Sequence, residues 1–194
     1  AGHDTISGGA LASAAASAYA YQDNDAFDGG HAGNDTIDAD DGNLDYDDEI
    51  AGDAMARSET DADALATNDA VSDGSQAGND DIDGAEGDNI MAGDAMARSG
   101  GTADADVDNT AENYGSAGDD TVRGGDDNDI ISGGSLARSS GAAEATTDNL
   151  ATGSNASAGN DLIYAFEGEN IVAGDAQAHS SGANASAYGT NTAG

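Results

Sequence analysis

The chain has 194 residues, of which 39 are Asp or Glu and only 4 are Lys or Arg, a formal charge of −35. Leu, Ile, Val and Phe together number 21, too few for apolar burial alone to fold so self-repelling a polymer. The imbalance excludes nucleic acid, which is bound through Lys and Arg, and disfavours anionic membranes. The absence of Cys removes disulfides and thiolate sites, and no apolar run reaches the roughly 18 residues of a membrane span.

The chain opens at Ala1-Gly2-His3-Asp4 without Met and without a basic-then-apolar leader, so it reads as an excised or processed segment, and any export would use a signal outside it. The string Ala-Gly-x-Asp-x-(Ile/Val) then recurs at Ala1 to Ile6, Ala32 to Ile37, Ala77 to Ile82, Ala117 to Val122 and Ala158 to Ile163, a period of about 40 residues. These repeats divide one repeat domain, residues 1–194, into a partial unit 1–31 and units 32–76, 77–116, 117–157 and 158–194. The unit 32–76 is longer because Asp40 to Glu49 carries an insertion, which reads as a longer loop with room for an extra ion.

A second motif follows the first by nine residues, taking Ile82 to Met91, Val122 to Ile131 and Ile163 to Val172; in the insertion-bearing unit the matching residue is Ile50. After it comes a Gly-(Asp/Gly) step and a short apolar stretch, as in Gly93 to Ser99 and Gly134 to Ser139. The remainder is rich in Ala, Ser, Thr and Asp, and Ala alternates through Ala12, Ala14, Ala16, Ala18 and Ala20 and again through Ala183, Ala185 and Ala187. Period two predicts strands, and an inward row of Ala predicts a thin solenoid whose facing sheets lie close. Gly and Asp at turn spacing, with no 3.6-residue stripe, count against Ala-rich helix.

The motif spacing suits a hard cation. Glycines permit positive φ and aim carbonyl oxygens inward, the Asp adds a carboxylate, and the aliphatic residue two places on enters the core. Calcium takes six to eight oxygens, more than one turn supplies, so successive coils would share each ion. Gly124-Gly125-Asp126-Asp127-Asn128-Asp129-Ile130-Ile131-Ser132 matches the nonapeptide Gly-Gly-x-Gly-x-Asp-x-U-x, with U a large aliphatic residue, at all but the third glycine, and Gly84 to Ala92 follows it less closely.

On these residues the chain resembles the RTX calcium-binding repeat family over somewhat under half its length. The resemblance implies an all-β parallel β-solenoid, a β-roll or β-helix with calcium at the turns, in an extracellular or cell-surface bacterial protein exported by type I secretion. The ligands it implies are Asp4, Asp35, Asp80, Asp120 and Asp161 in the first motif and Asp48 and Asp129 in the second, where Asn89 and Asn170 hold the same place as neutral, weaker ligands. Asp53, Asp94 and Asp175, in the Gly-Asp step, are further candidates. Continuous RTX rolls lack the roughly 22 Ala/Ser-rich residues that separate the motif pairs here, so the solenoid has either coils of about 20 residues, alternately with and without calcium, or one broad coil of about 40.

Arg57, Arg98 and Arg138, with His179 in the fourth place, recur at the same period and predict a ladder on one face that balances neighbouring acids, or else docks another chain. The three histidines, His3, His31 and His179, fall in unrelated repeat positions, and no nucleophilic or zinc-hydrolase arrangement surrounds them; a glycosidase carboxylate pair would have to lie in Asp40 to Glu49. The expectation is a non-enzymatic, calcium-folded filament, surface-layer or adhesin segment whose coil ends stack on other copies. An ice-binding solenoid, which would need a regular row of Thr, and the calcium-binding tail of a secreted hydrolase are the alternatives.

Overall fold

The computed structural model describes residues 5–39, 48–85 and 87–193. They contain no helix, and their strands form five parallel sheets. Each sheet takes at most one strand from each coil. Sheet 1 contains Thr5–Ser7, Glu49–Ala51, Ile90–Ala92, Ile130–Ser132 and Ile171–Ala173; sheet 2 contains Ala10–Ala14, Ala54–Ser58, Ala95–Ser99, Ser135–Ser139 and Ala176–Ser180. Sheet 3 has the long strands Ser17–Ala26, Asp61–Ala70, Thr102–Glu112, Ala143–Thr152 and Ala185–Ala193. The short sheet 4 holds His31–Ala32, Gln76–Ala77, Ser116–Ala117 and Ser157–Ala158, and sheet 5 holds Thr36–Asp38, Asp81–Asp83, Thr121–Gly125 and Leu162–Ala165.

Register decides the coil size. Ile50 pairs with Met91, Met91 with Ile131 and Ile131 with Val172, while Ala62 pairs with Ala103 and Ala103 with Ala143. The chain therefore returns to the same sheet after each repeat of about 40 residues, as one broad coil. Every strand is parallel to its neighbours, which is why residues poor in intrinsic strand preference such as Ala, Asp and Asn still form strands: each identical position stacks on its counterpart one coil away.

The core consists of thin layers between sheets. Ile37, Ile82 and Val122 of sheet 5 meet Ile50, Met91 and Ile131 of sheet 1. On the other face of sheet 1, Ala51, Ile90 and Ala92 pack on Met55, Met96 and Leu136 of sheet 2. Sheets 2 and 3 approach closely because only Ala lies between them over much of their contact, with Ala54, Ala56, Ala95 and Ala97 against Ala62, Ala64, Ala103 and Ala105. The predicted inward Ala row is thus present, although the run from Ala12 to Ala20 is two strands across a bend at Ala15 and Ala16, with Ala12 partly buried and Ala18 and Ala20 buried on facing sheets. Ala183 similarly lies in a bend before the last long strand.

Of the insertion, residues 40–47 lie outside the described set. Glu49, expected in its loop, is instead a buried residue of sheet 1. The Arg57, Arg98, Arg138 and His179 ladder is in register along sheet 2. Glu49 forms ion pairs with both Arg57 and Arg98, so part of the ladder does balance charge.

Candidate metal centre

Two corners of each coil carry the acidic motifs. The first lies where the chain enters sheet 5, and there Asp35, Asp80, Asp120 and Asp161 stack in a column. Asp80 Oδ1 accepts the backbone N–H of Asp35 at 2.7 Å, Asp120 Oδ1 that of Asp80 at 2.8 Å, and Asp161 Oδ1 that of Asp120 at 3.0 Å. One oxygen of each of these three carboxylates therefore ties its coil to the one before. The other is aimed inward: Asp80 Oδ2 and Asp120 Oδ2 are buried and accept no hydrogen bond among the described residues.

What these oxygens face is more oxygen. A Cβ built on Gly52, in the turn between sheets 1 and 2, would collide with both Asp80 Oδ2 and the carbonyl of Gly93; one on Gly93 would meet Asp120 Oδ2 and the Gly133 carbonyl, and one on Gly133 would meet Asp161 Oδ2 and the Gly174 carbonyl. Acceptor meets acceptor at each step, and only glycine leaves room for it. Asp53 adds a third group: its carboxylate and those of Asp35 and Asp80 offer oxygens all within 4.8 Å of one another, and Asp53 Oδ2 is likewise buried and unpartnered.

Such crowding is costly without a counter-charge. Burial pushes Asp53 and Asp161 up from 3.8 to about 7 and Asp80 to about 9, with neighbouring carboxylates pushing the same way. Asp94 and Asp120 are raised well above 3.8 by burial and then by each other's neighbours, Asp53 beside Asp94 and Asp94 beside Asp120. A buried, all-oxygen donor set of carboxylates and carbonyls is the chemistry a hard divalent cation requires, so the residues present fit calcium.

Behind this column runs a line of amides. Asn24, Asn68, Asn109, Asn149 and Asn191 occupy one inward row of sheet 3, and each amide nitrogen donates to the next residue's oxygen, at 3.0, 3.0, 3.0 and 2.8 Å in turn. The remaining N–H groups steady the acids of the Gly-Asp step, Asn24 to Asp53 at 2.7 Å, Asn68 to Asp94 at 2.8 Å and Asn149 to Asp175 at 3.1 Å. The same row fixes the glycine of Ala-Gly-x-Asp: Gly78, Gly118 and Gly159 have φ of 58°, 58° and 61°, and an added Cβ would run into Asn68, Asn109 and Asn149. Where the acid is missing, its neighbour on sheet 3 changes. Gly134 faces Thr147, whose hydroxyl reaches Ser135 and the Asp175 carbonyl, and Gly9 faces Gln22; beside Asp53 and Asp94 the paired positions are Ala66 and Val107.

At the second corner, where the chain enters sheet 1, Asp48, Asn89, Asp129 and Asn170 make the same inter-coil ladder. Asn89 Oδ1 accepts the Asp48 N–H at 3.0 Å, Asp129 Oδ1 that of Asn89 at 3.0 Å, and Asn170 Oδ1 that of Asp129 at 2.7 Å. The inward atoms differ. Asn89 Nδ2 donates to the carbonyls of Gly84 at 2.9 Å and Gly124 at 3.3 Å, and Asn170 Nδ2 to that of Glu167 at 3.4 Å. Asp129 Oδ2 is buried without a hydrogen bond among the described residues, and burial raises Asp129 to about 7.

Two turns per coil, each a glycine-rich loop ending in an acid or amide two residues before an inward aliphatic side chain, recur down the stack. A comparison with protein families matches the RTX calcium-binding nonapeptide repeat, in four copies, over residues 76–95, 114–135 and 155–178. Residues 76–178 carry RTX repeats. These repeats are calcium-binding motifs, carried on an all-β parallel solenoid. No match is found among curated proteins or among solved structures.

Of the residues singled out in sequence, the RTX fold gathers Asp35, Asp53 and Asp80 at one place and continues the column through Asp94, Asp120 and Asp161. Asp175 joins it through Asn149, and Asp48, Asn89, Asp129 and Asn170 form a separate line. Asp4 lies outside the described residues. The Asn row of sheet 3 and the glycines facing the carboxylates were missed, although Asn68, Asn109 and Asn149 recur at the repeat period and could have been found by it.

Proposed function

We propose that this RTX chain is a secreted structural protein that folds around calcium, with residues 1–194 acting as one repeat domain. The ions sit along the first corner, between coils, held by Asp35, Asp53 and Asp80, then by Asp80, Asp94 and Asp120, then by Asp120 and Asp161, with the intervening glycine carbonyls. Asp175 serves the last coil and Asp4 the first, while Asp48 and Asp129 offer carboxylates at the second corner. The observation that carries this reading is the row of buried, unpartnered Oδ2 atoms converging on carbonyl oxygens. Calcium neutralises the acids and ties coil to coil, so order propagates along the stack only in a calcium-rich medium such as the outside of a cell.

The solenoid serves as a rigid spacer, filament subunit, surface-layer or adhesin segment, without catalysis. Self-association, by parallel pairing of strands between copies, is carried as part of this proposal. Ice binding draws no support from the flat outer face of sheet 3. One of its rows runs Asp23, Thr67, Asp108, Asp148, Thr190, too broken by carboxylates to order water as a Thr array would.

Far-UV circular dichroism with light scattering, on chelated protein titrated with calcium at constant ionic strength, tests the reading. A cooperative coil-to-β transition with rising scattering is expected. No change up to millimolar calcium would overturn it, and a transition without scattering would remove self-association alone.

A further inference from the structure

The two corners of the coil are built alike but end in different atoms. At the first corner every described motif position is an acid, Asp35, Asp80, Asp120 and Asp161. At the second the positions alternate, Asp48, Asn89, Asp129, Asn170. The ladder along the stack does not distinguish them, because it uses only Oδ1, which both side chains possess: Asn89 accepts the Asp48 N–H at 3.0 Å just as Asp129 accepts that of Asn89 at 3.0 Å. Selection for the ladder alone would leave Asp and Asn interchangeable.

The difference lies in what the second atom does for the turn carbonyls. In a nonapeptide turn these oxygens point inward and need a positive partner. Asn89 supplies one from its own amide, Nδ2 reaching Gly84 O at 2.9 Å and Gly124 O at 3.3 Å, carbonyls from two successive coils. Those are the oxygens from adjacent coils that an ion shared between them would bind. A carboxylate there would present a third acceptor to two others, as Asp120 Oδ2 does at the first corner toward the Gly133 carbonyl. Asn89 is fully buried, so water does not compete for the amide.

We propose that Asn89 is a built-in replacement for an ion: its amide nitrogen closes the second corner where an aspartate would require calcium, so that ions alternate along this corner while they follow one another along the first. Asn170, two coils on, holds the same place in the ladder, with its Nδ2 turned to Glu167 O of its own loop at 3.4 Å. Asp129, between these two amides in the stack, keeps its inward oxygen for a cation. The proposal rests on calcium binding by the RTX corners and adds which of them bind.

The test counts bound calcium by equilibrium dialysis of the full chain, at saturating calcium and with circular dichroism on the same samples. Asn89→Asp is expected to bind one more calcium per chain than the parent, and Asp129→Asn one fewer with its β signal intact, because the new amide can donate to the corner carbonyls. An unchanged count in a folded Asn89→Asp chain would overturn the proposal. So would an unchanged count in Asp129→Asn, which decides the matter should Asn89→Asp not fold. If the parent binds no calcium at all, the underlying reading fails, a result separate from either variant's.

Discussion

Removing calcium should make the fold depend on acid, with a sign that the buried column fixes. Asp53 and Asp161 are raised from 3.8 to about 7 chiefly by burial. At about 1.4 kcal/mol per pKa unit, ionising each inside the metal-free coil costs on the order of 4 kcal/mol. Asp80, raised to about 9, costs more. Folded domains are held by about 5–15 kcal/mol, so ionising these three is enough to undo a metal-free solenoid. Because the folded pKa values lie above the unfolded one, the folded chain binds protons more tightly, and its stability is greatest near pH 4 and falls as pH rises through the window up to about 9. In excess chelator at fixed ionic strength, circular dichroism should show β structure at about pH 4 and its loss by about pH 8, with calcium restoring it at that pH. Molar NaCl shortens the Debye length to about 3 Å and relieves surface repulsion without reaching the buried column, so salt should not restore it. A chelated chain that keeps its β signal at pH 8, or regains it with NaCl alone, refutes the argument.

Six substitutions, in four comparisons, probe the remaining parts of the design, each read by denaturant or calcium midpoints. Gly118→Ala forces a Cβ into the Asn109 amide at φ 58°, whereas Gly74→Ala has φ 77° but open space; the second should cost only the left-handed strain of roughly 1–2 kcal/mol and the first distinctly more, equal midpoints being the contrary result. Asp120→Ala removes the acceptor of the Asp80 N–H, a 2.8 Å bond, worth about 1–3 kcal/mol when the buried donor is orphaned, and should raise the calcium needed for half-folding at least about tenfold. Glu49→Gln unpairs Arg57 and Arg98 and should cost about 1 kcal/mol or less, shrinking further in high salt. Gly134→Asp should be destabilising alone, since an added Cβ would lie 2.6 Å from Thr147 Oγ1 and 2.9 Å from its Cγ2, yet be partly rescued by Thr147→Ala, which removes both atoms, a coupling that a double-mutant cycle would read directly.

The repeat, the parallel strands and most of the acidic corners were legible because the nonapeptide spacing encodes them locally: glycine for the turn, Asp for the ladder, Ile or Val two places on for the core. Coil size was not, since a period of about 40 residues fits one broad coil or two narrow ones until Ile50 is seen to pair with Met91. Asp53 and Asp94 stood out only as candidates from a short Gly-Asp step, and their partners Asn24, Asn68 and Asn109 sit on sheet 3 inside Ala-rich strands, where an amide looks like an interruption of the apolar row. Glu49 was read as loop because the insertion blurs the nine-residue step, although its position beside Ile50 continues the sheet 1 strand.

The bonds that matter most here are not made within a coil. Asp80 accepts from Asp35, Asp120 from Asp80 and Asp161 from Asp120; each Asn of sheet 3 donates to the next coil; and an ion at the first corner, as proposed, would draw oxygens from two coils. A single coil would bury only a few aliphatic and Met side chains besides alanine and would leave its corner acids half-satisfied, so it has little reason to be ordered alone. A second coil supplies both the partner for each ladder and the missing ligands for an ion, and a third repeats the gain without new cost in topology. With calcium held there as proposed, its affinity and chain order would rise together along the stack, which would make a long row of acids, ruinous for a metal-free globule, the feature that turns folding on when calcium is present.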